Sequence, residues 1–373
     1  MYANKRDTDA YTGGILMNQE IISIKDTKQI CEIIREKNAN KIFIVHGNSF
    51  YKMKWYEQLD ENFEMIHFTD FNINPTYENV MEGRKKFIEN KCDLIVAIGG
   101  GSAIDVAKSI KFYAAVEDSE LNVKSVPKVC ETPLIVIPTT AGTGSESTKF
   151  AVLYYQGNKI SVSDDRILPD IAILDVRPLA VLPIFQRKVT MCDALSHAIE
   201  SYWSVRSCDE SRIYSKYAIE KIMKNYLTFI NGMTDADEEM LIAANLAGQA
   251  INITTTTAGH AMSYKMTSVY NFPHGQAVII CIPTLWRNMM NSGESEKKKV
   301  NELAKIMGFE SAEKAAEFLD KLIEELQLRP NISFSETEAE MLSAAVNVER
   351  LGNYPVKLTK EDLKDMYIKI FDK

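Results

Sequence analysis

The sequence predicts an α/β N-terminal domain with a mostly parallel sheet, followed by an all-helical C-terminal domain. Its 373 residues favour two hydrophobic cores over one. In the first half, short apolar runs alternate with helical patterns, which is typical of strands joined by helical crossovers. In the second half, long amphipathic patterns dominate. We place the boundary near residues 178–185, which divides the chain into 1–182 and 183–373.

Five short apolar runs are the predicted strands of the first domain: residues 41–45, 64–68, 94–98, 134–137 and 171–174. Helical patterns at 26–36, 78–89 and 104–115 precede the first strand or follow the second and third. A Rossmann-like domain of this kind binds its ligand beyond the carboxyl ends of the strands. We therefore expect the functional site in the cleft between the two domains.

The second domain is predicted from helical patterns alone: residues 193–203, 211–229, 237–253, 297–307, 312–327 and 360–371. Two helix-start signals support this interpretation, because Ser335 precedes Glu338 by three residues and Thr359 precedes Asp362 by three.

The composition argues against two classes of partner. With a net charge of −8 at pH 7, the chain offers no electrostatic attraction to nucleic acid or to an anionic membrane surface. No apolar run approaches the roughly 20 residues that span a bilayer. We expect neither nucleic acid nor a membrane as a partner.

The N-terminus and the cysteines predict a cytoplasmic location. The first residues lack the continuous apolar segment of a secretory signal, and Met17 is an alternative start, so residues 1–16 are predicted to be a tail. The six cysteines are scattered and form no Cys-x-x-Cys pair, which disfavours a disulfide scaffold and a thiolate zinc site.

The predicted strand 94–98 runs into a glycine turn, Gly99, Gly100 and Gly101, after which a helical pattern begins. Glycines allow close approach of a ligand, and Ser102 with Asp105 predicts a capping pair at the helix start. The free N–H groups of such a helix suit a pyrophosphate. The spacing matches neither G-x-G-x-x-G nor a P-loop, so a simple strand-to-helix turn is an equal alternative.

A second loop, residues 138–146, also follows an apolar strand and is rich in small hydroxyl side chains. Thr139, Thr140, Thr143 and Ser145 are candidates to hydrogen-bond a ribose or a phosphate. The alternative interpretation is a solvated turn.

Four residues of the second half form a candidate metal site. Asp193 and His197 are four apart on a predicted helix, so both project from one face. His260 follows a threonine-rich helix end, and His274 is predicted to lie in a Pro-His-Gly turn. One carboxylate and three imidazoles suit a divalent first-row metal. By itself, however, an aspartate four residues before a histidine is more often a chance pair of polar residues on the protein surface.

These motifs resemble the iron-containing (group III) alcohol dehydrogenases over nearly the whole chain. The matching segments are 99–108 (GGGSAIDVAK), 138–146 (PTTAGTGSE), 192–200 (CDALSHAIE), 259–260 (GH) and 272–275 (FPHG). Asp193, His197, His260 and His274 reproduce the family's metal-ligand intervals of 4, 63 and 14 residues. The resemblance implies Fe2+, Zn2+ or another divalent ion beside a bound NAD(P)H, with hydride transfer between the nicotinamide and a small aldehyde or primary alcohol. It also implies a homodimer.

The resemblance further implies roles for residues around the cofactor. Thr139 and Thr140 are expected near the cofactor's ribose and phosphates, and Lys159 near the nicotinamide ribose. Many members carry a histidine where this chain has Tyr264, so Tyr264 or a ribose hydroxyl is the expected proton carrier, and Lys159 is the other catalytic candidate. Many NAD-preferring members end their first strand with an aspartate, where this chain has Gly47, which leaves room for the 2′-phosphate of NADPH.

The substrate prediction is that of one branch of the family. Segments 200–204 (ESYWS) and 256–264 (TTAGHAMSY) resemble the branch that includes phosphonoacetaldehyde reductases. A phosphonate needs cationic partners, and Arg206 and Lys265 are the candidates, with Arg187 as a third. Each of these is equally well interpreted as a surface charge.

Three alternatives stay open. The substrate could be a simple short-chain aldehyde in an apolar pocket near Trp203 and Tyr264. A zinc-dependent enzyme similar to glycerol dehydrogenase or dehydroquinate synthase shares the architecture, although the complete set of one aspartate and three histidines argues against it. An inactive nucleotide- and metal-binding protein is disfavoured, because the motifs for both ligands are intact.

Overall fold

Six strands form one parallel sheet in the computed structural model, which describes residues 19–372. Eight strands lie in this range: β1 (Glu20–Ile24), β2 (Ile42–His46), β3 (Met65–Phe68), β4 (Leu94–Gly99), β5 (Leu134–Pro138), β6 (Phe150–Tyr155), β7 (Asn158–Ser163) and β8 (Ile171–Asp175). The sheet order is β1-β8-β5-β4-β2-β3, and every pair of neighbours is parallel. The predicted parallel sheet is confirmed, whereas the predicted tail at 1–16 lies outside the described residues.

Helices connect strands of the sheet, and further helices follow the last strand. Between strands lie α1 (Thr27–Glu36), α2 (Glu57–Asn62), α3 (Tyr77–Glu89) and α4 (Gly101–Ala114). After β8, the described residues contain helices and no further strand: α5 (Arg177–Ala180), α6 (Ile184–Trp203), α7 (Asp209–Ile230), α8 (Asp237–Thr254), α9 (Ala258–Tyr270), α10 (His274–Ile279), α11 (Ile282–Met290), α12 (Glu294–Ile306), α13 (Ala312–Glu325), α14 (Glu336–Ala344), α15 (Val348–Leu351) and α16 (Lys360–Phe371). The helical second half is confirmed, and the boundary near 178–185 stays a prediction.

The central strands are buried along their whole length, which is why they are continuous apolar runs in the sequence. Alternate residues of β4 enter different cores. Ile95 and Ala97 pack into the core on one face of the sheet, while Leu94, Val96 and Ile98 pack into the core on the other. A third and larger core holds the helical half together.

Several elements of the N-terminal half were not predicted, among them the short helix α2, the strand β1 and the hairpin of β6 and β7. β1 lies at the sheet edge with mixed burial, so its sequence lacks a continuous apolar run. β6 and β7 form a separate antiparallel hairpin. Gln156 and Gly157 both have positive φ at its turn, as a two-residue turn of this kind requires, and Gly157 supplies that conformation without strain.

Two local predictions were wrong. α4 begins at Gly101 with Gly100 as N-cap, and Ser102 does not cap it, because its hydroxyl donates to the Ile73 carbonyl instead. His274 does not lie in a turn but is the first residue of α10, since Pro273 takes the N-cap position. The capping boxes predicted at the starts of α14 and α16 are both present. Within residues 19–372 no helix has the length and apolar character needed to cross a membrane.

Candidate active site

One face of α6 carries the first part of the site. Asp193, His197 and Glu200 are four and three residues apart, so their side chains lie along the same side of the helix. All three side chains are buried.

α9 and α10 bring two more histidines to this face. His260 lies in the first turn of α9 and is buried, whereas the His274 side chain, at the start of α10, is 36% exposed. Gly275 allows α10 to lie directly against α6, because a Cβ there would come within 1.9 Å of the Val189 carbonyl oxygen. The site is therefore closed by α6 and α9 and open to solvent at His274.

The three imidazoles converge on one carboxylate oxygen. Asp193 Oδ1 lies 3.8 Å from His197 Nε2, 3.8 Å from His260 Nε2 and 3.9 Å from His274 Nε2. The ligating atoms of Asp193, His260 and His274 all lie within 4.8 Å of one another, and His197 Nε2 is 2.9 Å from His260 Nε2. Asp193 Oδ1 is buried and has no hydrogen-bond partner among the described residues. An orphaned buried oxygen facing imidazole nitrogens fits a divalent ion.

Burial and neighbouring charge set the protonation of these groups. Burial would raise the pKa of the Asp193 carboxyl, but the histidines around it, His197 foremost, bring that pKa below its ordinary value. Burial lowers the pKa of His197. An ionised carboxylate beside a neutral imidazole is the combination that binds a metal ion.

Glu200 orients His260, a role that the sequence motifs did not predict. Its Oε2 accepts a hydrogen bond from His260 Nδ1, while Oε1 accepts from the Thr257 hydroxyl at 2.6 Å and the Gly259 N–H at 2.8 Å. Burial would raise the pKa of Glu200, but His260 and then Thr257 lower it below its ordinary value. With Nδ1 donating to Glu200, the lone pair of His260 Nε2 points toward Asp193. The available signal was spacing, since Glu200 follows His197 by three residues on the same helix face.

The two predicted cofactor loops pack against each other after β4 and β5. The Thr139 N–H donates to the Gly99 carbonyl at 3.0 Å. A Cβ on Gly101 would come within 3.0 Å of Thr143, and one on Gly100 within 3.5 Å of Thr140. No side chain of the described residues caps the first turn of α4, and the N–H groups of Gly101 and Ser102 have no acceptor among these residues, so they remain free to bind an anion.

The side chains of Asp105 and Ser145, by contrast, are already hydrogen-bonded to other groups of the protein. The Ser145 hydroxyl donates to Asp105 Oδ1 at 2.6 Å and accepts from Lys108 Nζ at 3.1 Å, while Asp105 Oδ2 accepts from the Val152 N–H at 3.1 Å. Burial raises the pKa of Asp105 and lowers that of Lys108 to about 8. These bonds fasten the second loop to α4 and β6.

Lys159 and Tyr264 meet beside the histidines. Lys159 Nζ lies 3.4 Å from the centre of the Tyr264 ring, and that ring is nearly parallel to the His274 imidazole at 6.3 Å. Burial lowers the pKa of Lys159 to about 7 and raises that of Tyr264. The structure thus brings both catalytic candidates together with the four candidate metal ligands.

Gly47 directly follows the carboxyl end of β2, at the position expected from the resemblance. A Cβ built there meets nothing within 4 Å, so the space around it is open.

Two of the predicted substrate residues have the contacts of core residues. Trp203 is fully buried, and its indole N–H donates to the Thr257 hydroxyl at 2.9 Å. Arg187 is 1% exposed and forms an ion pair with the buried Asp237 at 2.5 Å. Neither side chain is available to bind a ligand, because Trp203 is buried and the Arg187 guanidinium is paired with Asp237.

The other two substrate candidates, Arg206 and Lys265, lie outside the protein core. Arg206 is exposed beyond the end of α6. Lys265 is half-buried on α9, five residues after His260 and so roughly 140° around the helix from it. Arg350, on α15, was not a candidate, yet its Cζ lies 5.5 Å from the centre of the Phe150 ring.

Comparison with known families agrees with this geometry. The family model described as iron-containing alcohol dehydrogenase matches residues 19–176, and that of the family's C-terminal region matches residues 188–371. An alcohol dehydrogenase from Thermococcus barophilus is 32% identical over 350 residues, which covers 89% of this chain and 91% of the relative. The chain belongs to the iron-containing alcohol dehydrogenase family.

Two further similar proteins show the range of this family. The 4-hydroxybutyrate dehydrogenase of Clostridium kluyveri is 28% identical over 356 residues, 91% of this chain and 95% of that one. The crystal structure of a sulfoacetaldehyde reductase from Bifidobacterium kashiwanohense in complex with NAD+ has a TM-score of 0.88 at 26% identity and covers 96% of this chain and 99% of that one. This iron-containing alcohol dehydrogenase family member is a metal-dependent, NAD(P)-linked oxidoreductase of alcohols and aldehydes.

Proposed function

We propose that the chain reduces a short aldehyde at one divalent ion, iron(II) first among the candidates, held by four ligands: Asp193, His197, His260 and His274. The observation that carries this proposal is the buried Asp193 Oδ1, which has no hydrogen-bond partner among the described residues and faces three imidazole nitrogens at 3.8–3.9 Å. These distances are too long for hydrogen bonds, so the convergence is explained by an ion between the groups. The bound ion supplies a Lewis acid for the substrate oxygen.

The chain's own residues then position the substrate and move a proton. Glu200 keeps His260 Nε2 directed at Asp193, and the exposed side at His274 admits the aldehyde. Lys159 Nζ, with a pKa of about 7, holds a proton that it can release near neutral pH. Tyr264 stays protonated because burial raises its pKa. A bound nicotinamide would supply the hydride that reduces the aldehyde, and Lys159 Nζ would supply the proton, directly or through Tyr264 or a ribose hydroxyl.

We propose that the cofactor lies along the carboxyl ends of the strands and that NADPH is accepted alongside NADH. The uncapped first turn of α4 and the hydroxyls of Thr139, Thr140 and Thr143 suit the pyrophosphate and ribose. The open space at Gly47, which carries no carboxylate to repel a 2′-phosphate, supports NADPH binding.

For the substrate there are two candidate classes, and one is an uncharged short-chain aldehyde. The second is an aldehyde that carries an anionic group, such as phosphonoacetaldehyde. This second class is favoured by the names of two similar proteins, a 4-hydroxybutyrate dehydrogenase and a sulfoacetaldehyde reductase, whose substrates carry a carboxylate and a sulfonate.

We further propose that the enzyme is a cytoplasmic homodimer. All six cysteines are free in the structure, which suits a reducing compartment. Light scattering on the purified protein measures its mass directly, and a monomeric mass would contradict the dimer.

The proposed function is tested by removing and restoring the metal. The protein is stripped with a chelator, reloaded anaerobically with Fe2+ or Zn2+, and assayed for NADH and NADPH oxidation with propanal and with phosphonoacetaldehyde. We expect the stripped protein to be inactive and Fe2+ to restore turnover. Full activity of the stripped protein, or no turnover of any aldehyde after reloading, would contradict the proposal.

A further inference from the structure

An arginine near the candidate active site has no ion-pair or hydrogen-bond partner for its guanidinium among the described residues. The Arg350 guanidinium is half-buried on α15, and within residues 19–372 it forms no ion pair and no side-chain hydrogen bond. Its Cζ lies 5.5 Å from the centre of the Phe150 ring, so it faces the start of the β6–β7 hairpin. A partly buried guanidinium without an ion-pair or hydrogen-bond partner among the described residues has donors that are available to an anion.

The charge of Arg350 acts on both catalytic candidates. Burial lowers the pKa of Lys159, the Asp105 carboxylate opposes that change, and the positive charge of Arg350 adds to it. Burial raises the pKa of Tyr264, and Arg350 acts against that rise. The Tyr264 ring also lies nearly parallel to the His274 imidazole at 6.3 Å, so the two side chains on which Arg350 acts lie beside the candidate metal site.

The backbone around Arg350 is held at both ends. The Asn347 side chain accepts from the Arg350 N–H at 2.8 Å and caps α15. The buried Asn353 side chain donates to the Thr255 hydroxyl at 2.6 Å and to the Thr256 carbonyl at 3.0 Å, which joins this segment to the turn before α9. Arg350 is thus positioned in advance relative to the helix that carries His260 and Tyr264.

We propose that Arg350 binds the anionic group of the substrate and selects short aldehydes that carry a carboxylate, sulfonate or phosphonate. A guanidinium offers planar, paired N–H donors that match such oxyanions. The cofactor's pyrophosphate has its own donors at the start of α4, which leaves Arg350 for the substrate. This inference rests on the proposed function, since the aldehyde end of the same molecule must reach the site beside His274.

The test compares kcat/KM for phosphonoacetaldehyde and propanal in four proteins: wild type, Arg350→Gln, Arg350→Lys and Lys357→Gln. Lys357 is the matched control, an exposed lysine between α15 and α16. We expect wild type to prefer phosphonoacetaldehyde. Arg350→Gln should lower kcat/KM for that substrate about 10-fold or more, mainly through KM, as for the loss of a hydrogen bond to a charged group. For propanal, which has no anionic group, the loss in kcat/KM should be smaller than for phosphonoacetaldehyde, and Arg350→Lys should recover part of the loss for the anionic substrate.

A second measurement needs no turnover. The non-reacting anion phosphonoacetate should raise the Tm of wild type and of Lys357→Gln but not that of Arg350→Gln, and circular dichroism shows whether each variant is folded. Repeating the kinetics with sulfoacetaldehyde and succinate semialdehyde identifies which anion Arg350 favours.

Several results would overturn the proposal. An unchanged preference in Arg350→Gln would do so, as would a selective loss in Arg206→Gln or Lys265→Gln instead. An equal rise in the KM for NADPH with both aldehydes would show that Arg350 serves the cofactor. If reloaded wild type reduces propanal at least as well as phosphonoacetaldehyde, the substrate class is wrong while the proposed function stands. If it reduces neither, both are wrong.

Discussion

Among single residues, Glu200 is the one that fixes the orientation of His260 in the candidate metal site. Five polar atoms are arranged around its carboxylate, and all of them come from the Thr257–His260 turn: His260 Nδ1, the backbone N–H groups of Thr257, Gly259 and His260, and the Thr257 hydroxyl. An imidazole that binds a metal needs such a partner on its second nitrogen to fix the ring and its tautomer. Glu200 therefore acts on the metal through His260.

Replacing Glu200 with glutamine should weaken metal binding. The side chain keeps its size but loses the charge that holds His260 Nδ1 as a donor, so we expect metal affinity to fall about 10- to 100-fold. Competition with a chromophoric chelator measures the change. The control is Glu239→Gln, which removes a carboxylate paired with Lys221 away from the site. Equal metal affinity in wild type and Glu200→Gln would show that the bond to His260 is dispensable.

Gly47 is expected to decide how the two cofactors are distinguished. An aspartate at this open position should repel the 2′-phosphate and raise the KM for NADPH about 10-fold or more, while leaving that for NADH within about threefold. Gly47→Asn is the uncharged control of similar size and should change neither value much. A wild-type preference for NADH beyond about 100-fold, or roughly 3 kcal/mol, would show that this position does not face the adenosine ribose.

The residues that could be predicted from sequence are those with a distinctive type and spacing. Asp193, His197, His260 and His274 are such residues, and the structure brings them together. Arg350 could not be predicted, because it is one arginine among many and is distinguished only by a guanidinium without an ion pair or hydrogen bond in the described part of the chain. Trp203 and Arg187 show the converse: both flank the motif in sequence, but folding buries them in the core.

At the scale of elements, the approach of α10 to α6 is the contact on which the site depends most. Gly275→Ala would place a methyl group 1.9 Å from the Val189 carbonyl oxygen and 3.1 Å from Asp193 Cβ. The backbone must shift to relieve this clash, at a cost of about 1–3 kcal/mol in the free energy of unfolding. We expect a lower Tm and a lower metal affinity together, because His274 moves with α10.

The matched control is Gly293→Ala, whose new methyl group meets only the flexible end of the Glu296 side chain. Thermal unfolding and metal titration of both variants provide the comparison. A Gly275→Ala protein with the Tm and metal affinity of wild type would contradict this account of the helix contact.

Strands could be predicted from the sequence where every residue of the strand is buried. The central strands β2, β4, β5 and β8 are continuous apolar runs because both of their faces are covered. β1 and the β6–β7 hairpin have mixed burial and were missed, although the hairpin carries Lys159. α15 was missed because four residues are too few to show a helical period.

At the scale of the whole molecule, the sheet half and the helical half meet where the second loop crosses α8. Gly144, with a φ of +60°, lies against Gly248, and a Cβ on either would come within 2.5 Å of the other's backbone. Asn245 on α8 donates to the Ser147 hydroxyl at 2.6 Å in the same contact. The loop expected to hold the cofactor is therefore fastened to the half that carries the histidines, so that the nicotinamide and the metal site share one frame.

The central claim is that one ion, bound by residues of α6, α9 and α10, is needed for the reaction of this molecule. The most direct measurement is metal content by mass spectrometry together with propanal reduction, in wild type, His260→Ala and His274→Ala. His67→Ala is the control, since His67 bonds to His46 and Asp60 outside the site. We expect about one ion per chain and full activity in wild type and His67→Ala, and loss of most metal and activity in the other two variants. A folded His274→Ala protein that is metal-free and fully active would contradict the account.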